Sequence, residues 1–285
     1  MTFFSIIINC YNGEAYIAQA IQSVLCQGFE DYEIIIWDNK STDNSIKIAE
    51  GFNDSKIKIY KSANHTNLGT ARVNALKKCS GKWISFLDVD DWYESKRLEL
   101  LHSKISNLDQ SYSMIFSQVY TYADHSPEKK IRPRKPLYVD IGSHKVISLF
   151  NLVPFCGAVY KSTEIKKIIE KTHDFIHSPD YLINYLLSKS GKVYFLPIPL
   201  ATYRIHANSL TSRNKKDGYI ESIKIMEGFS NNLVDEVCHR IKFSFFLLRL
   251  KEYQSARKNL RKTSFWQLIA GFFSLSKIFI QIKFF

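Results

Sequence analysis

Three carboxylates, Asp88, Asp90 and Asp91, follow directly on the apolar run Trp83 to Leu87. A run of this kind without Gly or Pro reads as a buried strand. Side chains two apart on a strand share a face, so Asp88 and Asp90 are predicted to point the same way. Two like charges at one strand end repel each other unless a cation lies between them. A hard divalent ion, Mg²⁺ or Mn²⁺, suits such oxygen ligands and keeps positions open for phosphate oxygens and water. The competing reading is a solvated acidic turn, where Asp is common.

Two further polar clusters have the same placement. Cys10-Tyr11-Asn12 ends the apolar run from Phe3 to Ile8, and Asp38-Asn39 ends the run from Glu33 to Trp37. Between these runs, Glu14 to Gln27, Ile46 to Phe52 and Thr70 to Cys79 have helical spacing, and Ile57 to Tyr60 reads as another strand. Strand-helix alternation with short loops argues for a parallel α/β sheet. Ligands of such sheets bind outside the carboxyl ends of the strands. The fold therefore brings three sequence-distant clusters to one edge of the molecule.

The chain has 285 residues, 45% hydrophobic and 14% aromatic, enough for one large domain or a domain with an appendage. The five cysteines, Cys10, Cys26, Cys79, Cys156 and Cys238, are scattered and form no CxxC pair. They read as reduced, mostly buried thiols, without a zinc site. The opening Met-Thr-Phe-Phe-Ser-Ile-Ile-Ile lacks a basic stretch and does not read as a signal peptide. From His239 on, ten Lys and Arg face one acid, Glu252, so nine of the twelve net positive charges fall there. That tail is rich in Phe, Ile and Leu, unlike an Arg stripe with stacking aromatics, so nucleic acid is not the expected partner. In Phe265 to Phe285, Gln267, Ser274, Lys277 and Gln281 share a face near heptad spacing, with Lys277 and Lys283 interrupting the apolar run. The pattern favours a helix lying on an anionic membrane surface over a spanning one. The alternative is a helix that docks on the domain or a partner.

The second half is less regular. Glu94 to Leu108 reads as a helix and Met114 to Tyr122 as a strand. Asp124 to Pro136, with Lys129, Lys130, Arg132, Arg134 and Lys135, reads as a mobile basic loop, or else as a flap over an anionic acceptor. A short helix is expected at His144 to Leu152, a strand at Phe155 to Tyr160 and a helix at Ser162 to Lys171. Ser178-Pro179-Asp180 looks like a helix start, with Ser as cap and Pro at the first position. Val193 to Leu196 and Leu200 to Ile205 are expected strands, the second leading into Arg204, His206 and Asn208. Helical, basic sequence begins near Asp217, and Phe243 to Leu250 could pair with Tyr253 to Lys262.

Six of these stretches together resemble the family 2 glycosyltransferases. Ser5-Ile6-Ile7-Ile8-Asn9-Cys10-Tyr11-Asn12 is similar to their opening strand, and Trp37-Asp38-Asn39-Lys40-Ser41-Thr42-Asp43 to their second-strand motif. Asn67-Leu68-Gly69-Thr70-Ala71-Arg72-Val73-Asn74-Ala75 resembles their loop-plus-helix motif, and Phe86-Leu87-Asp88-Val89-Asp90-Asp91 their metal-binding DxD. Ser178-Pro179-Asp180-Tyr181-Leu182 stands where the family has its catalytic carboxylate, and Tyr203 to Leu210 resembles the motif that follows. The order covers Ser5 to Thr211, and six motifs in order are specific where one is not.

The resemblance implies a GT-A fold, a Rossmann-like, mostly parallel α/β sheet. Residues 1–212 would form the catalytic domain, with a nucleotide-binding half at 1–110 and an acceptor-binding half at 111–212; 213–285 would be a helical, membrane-associating extension. It implies inverting sugar transfer from a nucleotide sugar, with UDP as the expected nucleotide, to a glycan or lipid-linked glycan in surface-polysaccharide synthesis. The enzyme would be cytoplasmic, peripheral on the inner membrane face. Cys10, Tyr11, Asn12, Asp38, Asn39, Arg72, Asn74, Asp88 and Val89 would bind the nucleotide. Asp90, His206 and Asp88 would hold Mg²⁺ or Mn²⁺. Asp91, Cys156, Gly157 and Arg204 would face the sugar or acceptor. Asp180 would be the base, although Pro179 stands where the family usually has Glu, and Asp174 is the alternative. Two rival classes remain: a nucleotidyltransferase, against which no Gly-rich, Lys-bearing phosphate loop occurs near the start, and a non-catalytic nucleotide-sugar-binding subunit.

Overall fold

The computed structural model describes residues 2–124, 126–132, 153–207, 209–210 and 214–229, with isolated positions between 236 and 259. The first half alternates as the sequence predicts: β1 (Phe4–Cys10), α1 (Ile17–Leu25), β2 (Tyr32–Asp38), α2 (Ser45–Glu50), β3 (Ile57–Lys61), α3 (Leu68–Leu76) and β4 (Trp83–Asp88). Then follow β5 (Trp92–Tyr93), α4 (Arg97–Ser106), β6 (Tyr112–Ala123), β7 (Ser126–Arg132), β8 (Ala158–Lys161), α5 (Ser162–Ile168), α6 (Pro179–Ser190), β9 (Lys192–Ile205) and α7 (Lys215–Phe229).

These strands form one sheet in the order β3-β2-β1-β4-β8-β6-β9-β5, with β7 on β6. The pairs β3-β2-β1-β4 are parallel. Strand β8 runs antiparallel to β4 and to β6, while β9 is parallel to β6. The start of β8 and the ends of β1, β2, β4, β6 and β9 therefore share one edge.

Alternation along β1 shows why the sheet is covered on both sides. Phe4, Ile6 and Ile8 pack with α1, α2 and α4, whereas Ile7 packs with α3, α5 and α6. Strands buried on two faces read as continuous apolar runs, as Ile6 to Ile8 and Ile34 to Ile36 do.

At the other edge of the sheet, buried Glu33 on β2 accepts from Ser5 Oγ at 2.6 Å, Ser80 N at 2.7 Å, Ser80 Oγ at 2.8 Å and Lys58 Nζ at 2.7 Å. Burial alone would raise its pKa, but these donors outweigh it and bring the carboxyl from 4.5 down to about 2. A depressed folded-state pKa stabilises above the unfolded value and loses that contribution as pH falls through the folded one. Glu33→Gln is expected to cost about 3 kcal/mol at pH 7. Denaturant melts should show the gap closing between pH 4.5 and 2; a gap constant across that range would mean that ionisation contributes nothing.

The structure corrects several local expectations. The basic segment 126–132 is an edge strand antiparallel to β6 instead of a loop. Lys129 is held there by Glu94 at 2.9 Å and lies over the Trp92 and Tyr120 rings. Charge on an edge strand also guards it against pairing with other chains. Phe155–Gly157 is a 3-10 turn behind Pro154, with strand only from Ala158. The two strands expected between Val193 and Ile205 are one: the register with β6 shifts past Pro197, which lacks an N–H donor, picks up Pro199 opposite Gln118, and resumes at Thr202. Ser178 starts α6 but does not cap it; its hydroxyl donates to Gly218 O. Arg134, Lys135, the helix expected at 144–152, Asn208 and the stripe at 265–285 lie outside the described residues, as does most of the expected 243–262 hairpin. Among the described residues no helix is long and apolar enough to cross a membrane.

Candidate functional site

The loops after β1 and β2 are built as one unit. Asn12 and Lys40 both take left-handed backbone, with φ of 52° and 70°. Asn12 N donates to Ser41 Oγ at 3.0 Å, Thr42 N to Asn12 Oδ1 at 2.8 Å, and Glu14 N to Asp43 Oδ2 at 3.0 Å. Asn tolerates this backbone better than most residues, and its side-chain oxygen reaches across to the loop after β2. Asn12 therefore holds the loop pair together. The Cys10 thiol is buried 3.8 Å from Ser41 Oγ, and burial raises its pKa, so it is a packed wall of the loop. Val89 packs against Gly13, where a Cβ would come within 2.7 Å of a Val89 methyl.

Tyr11 is 49% exposed and its ring lies 4.1 Å from that of His65. Asn39 makes this pairing possible. Its side chain donates to Thr66 O at 2.7 Å and accepts from Thr66 N and Oγ1, while its carbonyl meets His65 Nδ1 at 3.0 Å. Both ends of the Asn39 amide are thus engaged within the protein. Neighbouring Asp38 is buried and uses Oδ1 for Ser41 N. His65 gave no signal in the sequence beyond its place in a polar loop.

Register places the acidic cluster beside this pocket. Cys10 pairs with Asp38 across β1 and β2, and Asn9 pairs with Asp88 across β1 and β4. Two strand spacings separate Asp38 from Asp88, about 10 Å. Strand β4 ends at Asp88, and Asp91 N turns back to Asp88 O at 3.0 Å. Simple alternation stops there, so Asp88 and Asp90 take different partners. Asp88 meets Arg72 at 3.1 Å, and Asp90 meets His206 at 2.9 Å. Asp91 is buried and accepts from Arg204 N at 2.9 Å and from the Cys156 thiol.

The electrostatics show that the three acids are still neighbours. Burial, then Asp88, raises the pKa of Asp90 against the pull of His206. Burial, then Asp90 and Asp88, pushes Asp91 well up. Arg204 closes the cluster. Its guanidinium reaches Asp90 O, Asp124 and Gln19, and it lies 5.0 and 4.8 Å from the Tyr16 and Trp92 rings.

Arg72 is only 2% exposed, 4.1 Å from the Phe155 ring centre, and its Nε and Nη1 have no partner among the described residues. Unpaired buried donors cost about 1–3 kcal/mol, which an anion held there would recover. Asn74 lies two residues on, about 200° round the helix, so α3 aims Arg72 and not Asn74 at the acids. Gly157 ends the 3-10 turn that leads into β8, packed against Val119 and Ser117.

Asp180 joins the same group from α6. Burial raises its pKa; Arg72 and the Tyr181 N–H oppose this, and Asp88 adds to it. The helix N-terminus, which favours acids in a first turn, therefore does not by itself hold this carboxyl low. Asp174 is exposed in the preceding loop.

Among the described residues no three His, Cys, Asp or Glu side chains form a closed metal cage. Mg²⁺ is bound through one or two carboxylates plus substrate phosphates and water. A half-buried Asp90, its pKa raised by desolvation and then by Asp88, beside a His206 whose Nδ1 has no partner among the described residues, fits such an open arrangement.

The model of glycosyl transferase family 2 matches residues 5–168, more than half of the chain, and stops short of Asp180 and His206. The chain is 26% identical over 266 residues to the UDP-Glc:alpha-D-GlcNAc-diphosphoundecaprenol beta-1,3-glucosyltransferase WfgD of Escherichia coli, covering 90% of this chain and 98% of that one. It is 26% identical over 220 residues to glycosyltransferase GlyA of Streptococcus pneumoniae serotype 4; the match takes in 73% of this chain but only 31% of that longer protein. The fold is similar to that of S. aureus TarS 1-349 in complex with UDP-GlcNAc, with a TM-score of 0.63 at 18% identity, over 85% of this chain and 71% of that one.

Proposed function

From the premise that this chain belongs to glycosyl transferase family 2, we propose that it transfers a sugar from a UDP-sugar to a hydroxyl of a lipid-diphosphate-linked glycan, with inversion. The observation that carries the reading is the meeting of Arg72, Asp88 and Asp180 at one sheet edge beside the Asp90–His206 pair. Tyr11 and His65 offer an aromatic face for a nucleobase. Asp38, with Oδ1 on Ser41, has a second oxygen to accept the uracil N3–H. The Arg72 donors left unpaired among the described residues would take the charge of the diphosphate. Asp180 accepts the acceptor's hydroxyl proton as that oxygen attacks C1 and the bond from C1 to the diphosphate breaks. One displacement inverts the anomeric carbon, and UDP leaves. Asp90 and His206 would hold a divalent cation, with Asp88 beside them; when bound it neutralises charge on the leaving diphosphate. The lipid-linked acceptor is inferred from the likeness to WfgD, and the basic, apolar tail favours work at an anionic membrane face.

A panel of nucleotides and acceptors tests this. With Mn²⁺ present, UDP should stabilise the protein by about 2.7 kcal/mol at a hundredfold excess over its Kd, and ADP or GDP much less. UDP-glucose with a GlcNAc-diphospholipid should yield UDP and an extended glycan. Truncation before Ser264 should lower the rate on that lipid in vesicles but not on a detergent-dispersed short-chain analogue. Release of pyrophosphate instead of UDP would make the protein a nucleotidyltransferase, and UDP binding without turnover on any sugar a binding subunit.

A further inference from the structure

The loop that delivers Asp180 is gripped from two sides. On one side α3 takes its carbonyls. Gly69 N donates to Phe175 O at 3.2 Å, and Asn67 Nδ2 and Thr70 Oγ1 donate to His173 O at 2.8 and 3.2 Å. The approach is so close that a Cβ on Gly69 would overlap the Thr172 carbonyl oxygen. The same helix carries Arg72, so this contact ties the Asp180 loop to the acidic cluster.

On the other side one carboxylate takes the amides. Glu221, on α7, accepts from Ile176 N at 3.0 Å through Oε1, and from His177 N and Ser178 N, both at 2.8 Å, through Oε2. Three consecutive N–H groups on one ionised acceptor make a strong, directional clamp. Two residues later the chain reaches Asp180. Helix α7 is fixed to α6 independently, through Tyr181, Tyr185, Ile225 and Met226 and through the Ser178 hydroxyl on Gly218 O. Glu221 lies beyond the residues matched by the family model.

We infer that Glu221 is a positioning residue for Asp180, so that the helix after residue 212 completes the reaction centre. The inference rests on Asp180 being the base. Glu221 touches no reacting atom; it sets the direction in which α6 begins, and through it the place of the Asp180 carboxylate. Displacements of about 1 Å can cost on the order of a hundredfold in rate.

The experiment follows UDP release, without added acceptor, from the fastest of UDP-glucose, UDP-galactose and UDP-N-acetylglucosamine. Glu221→Gln keeps one acceptor oxygen and should lower kcat about 10-fold; Glu221→Ala should lower it about 100-fold, both with KM for the sugar nucleotide within about 3-fold. The double variant Glu221→Ala/Asp180→Asn should be no slower than Asp180→Asn alone, since both act on one step. Hydrogen exchange at Ile176, His177 and Ser178 should quicken in Glu221→Gln at unchanged melting temperature, a readout that needs no activity. An inactive Asp180→Asn beside a Glu221→Ala of normal kcat would overturn this inference and leave the base in place. Losses that add in the double variant, or a fall in kcat matched by a fall in melting temperature, would overturn it too. An active Asp180→Asn would remove the base and this inference with it.

Discussion

Asp180→Asn is expected to lower kcat for sugar transfer by about 10³-fold while UDP still binds, a loss inside the range for removal of a general base. The two side chains have the same shape, so α6 should start as before. The carboxylate is desolvated, which raises its pKa and makes it a better proton acceptor, while Arg72 and the Tyr181 N–H offset part of that shift. Asn can accept a hydrogen bond but cannot take the proton. Because burial disfavours the charged form, the variant should melt no lower than the parent. Steady-state kinetics with UDP titrations separate the effects. An Asp180→Asn protein that transfers sugar at the parental rate would move the base elsewhere, with exposed Asp174 the first place to look.

Asp90→Asn is the second large effect. Transfer should fall by about 10² to 10³-fold, and added Mn²⁺ should no longer raise the rate. The same change should leave the metal-free protein at least as stable as the parent. Asp90 is half-buried beside Asp88, and its only close counterpart among the described residues is His206. Removing its charge relieves repulsion that the fold otherwise carries, as expected of residues kept for function at the expense of stability. Melting in EDTA and in Mn²⁺ gives the comparison. A variant that melts far below the parent in EDTA would assign Asp90 to the scaffold.

Local pattern was informative wherever one physical constraint acted alone. The apolar runs of β1, β2 and β4 need two covered faces, and only a sheet between helix layers supplies them. The polar clusters that end those runs had to share an edge once the strands were parallel. Pattern failed where a partner far along the chain decides. Residues 126–132 look like a solvated loop until β6 offers an edge. Asn39 looks ready to read a base until Thr66 occupies both ends of its amide. Ser178 looks like a cap until Gly218 takes its hydroxyl.

The chain's own order of residues determined the α/β class, the family likeness from Ser5 to Thr211, and which carboxylates end strands. Their periodicity and composition are local properties, and nearest neighbours suffice to impose them. Only the folded arrangement decided how those acids divide their partners, Asp88 with Arg72, Asp90 with His206 and Asp91 with Arg204 N and Cys156. It also set Tyr11 against His65 and Glu221 behind Asp180. These pairings join residues from 16 to more than 100 positions apart. No sequence period spans such distances, because they are fixed by sheet order and helix packing.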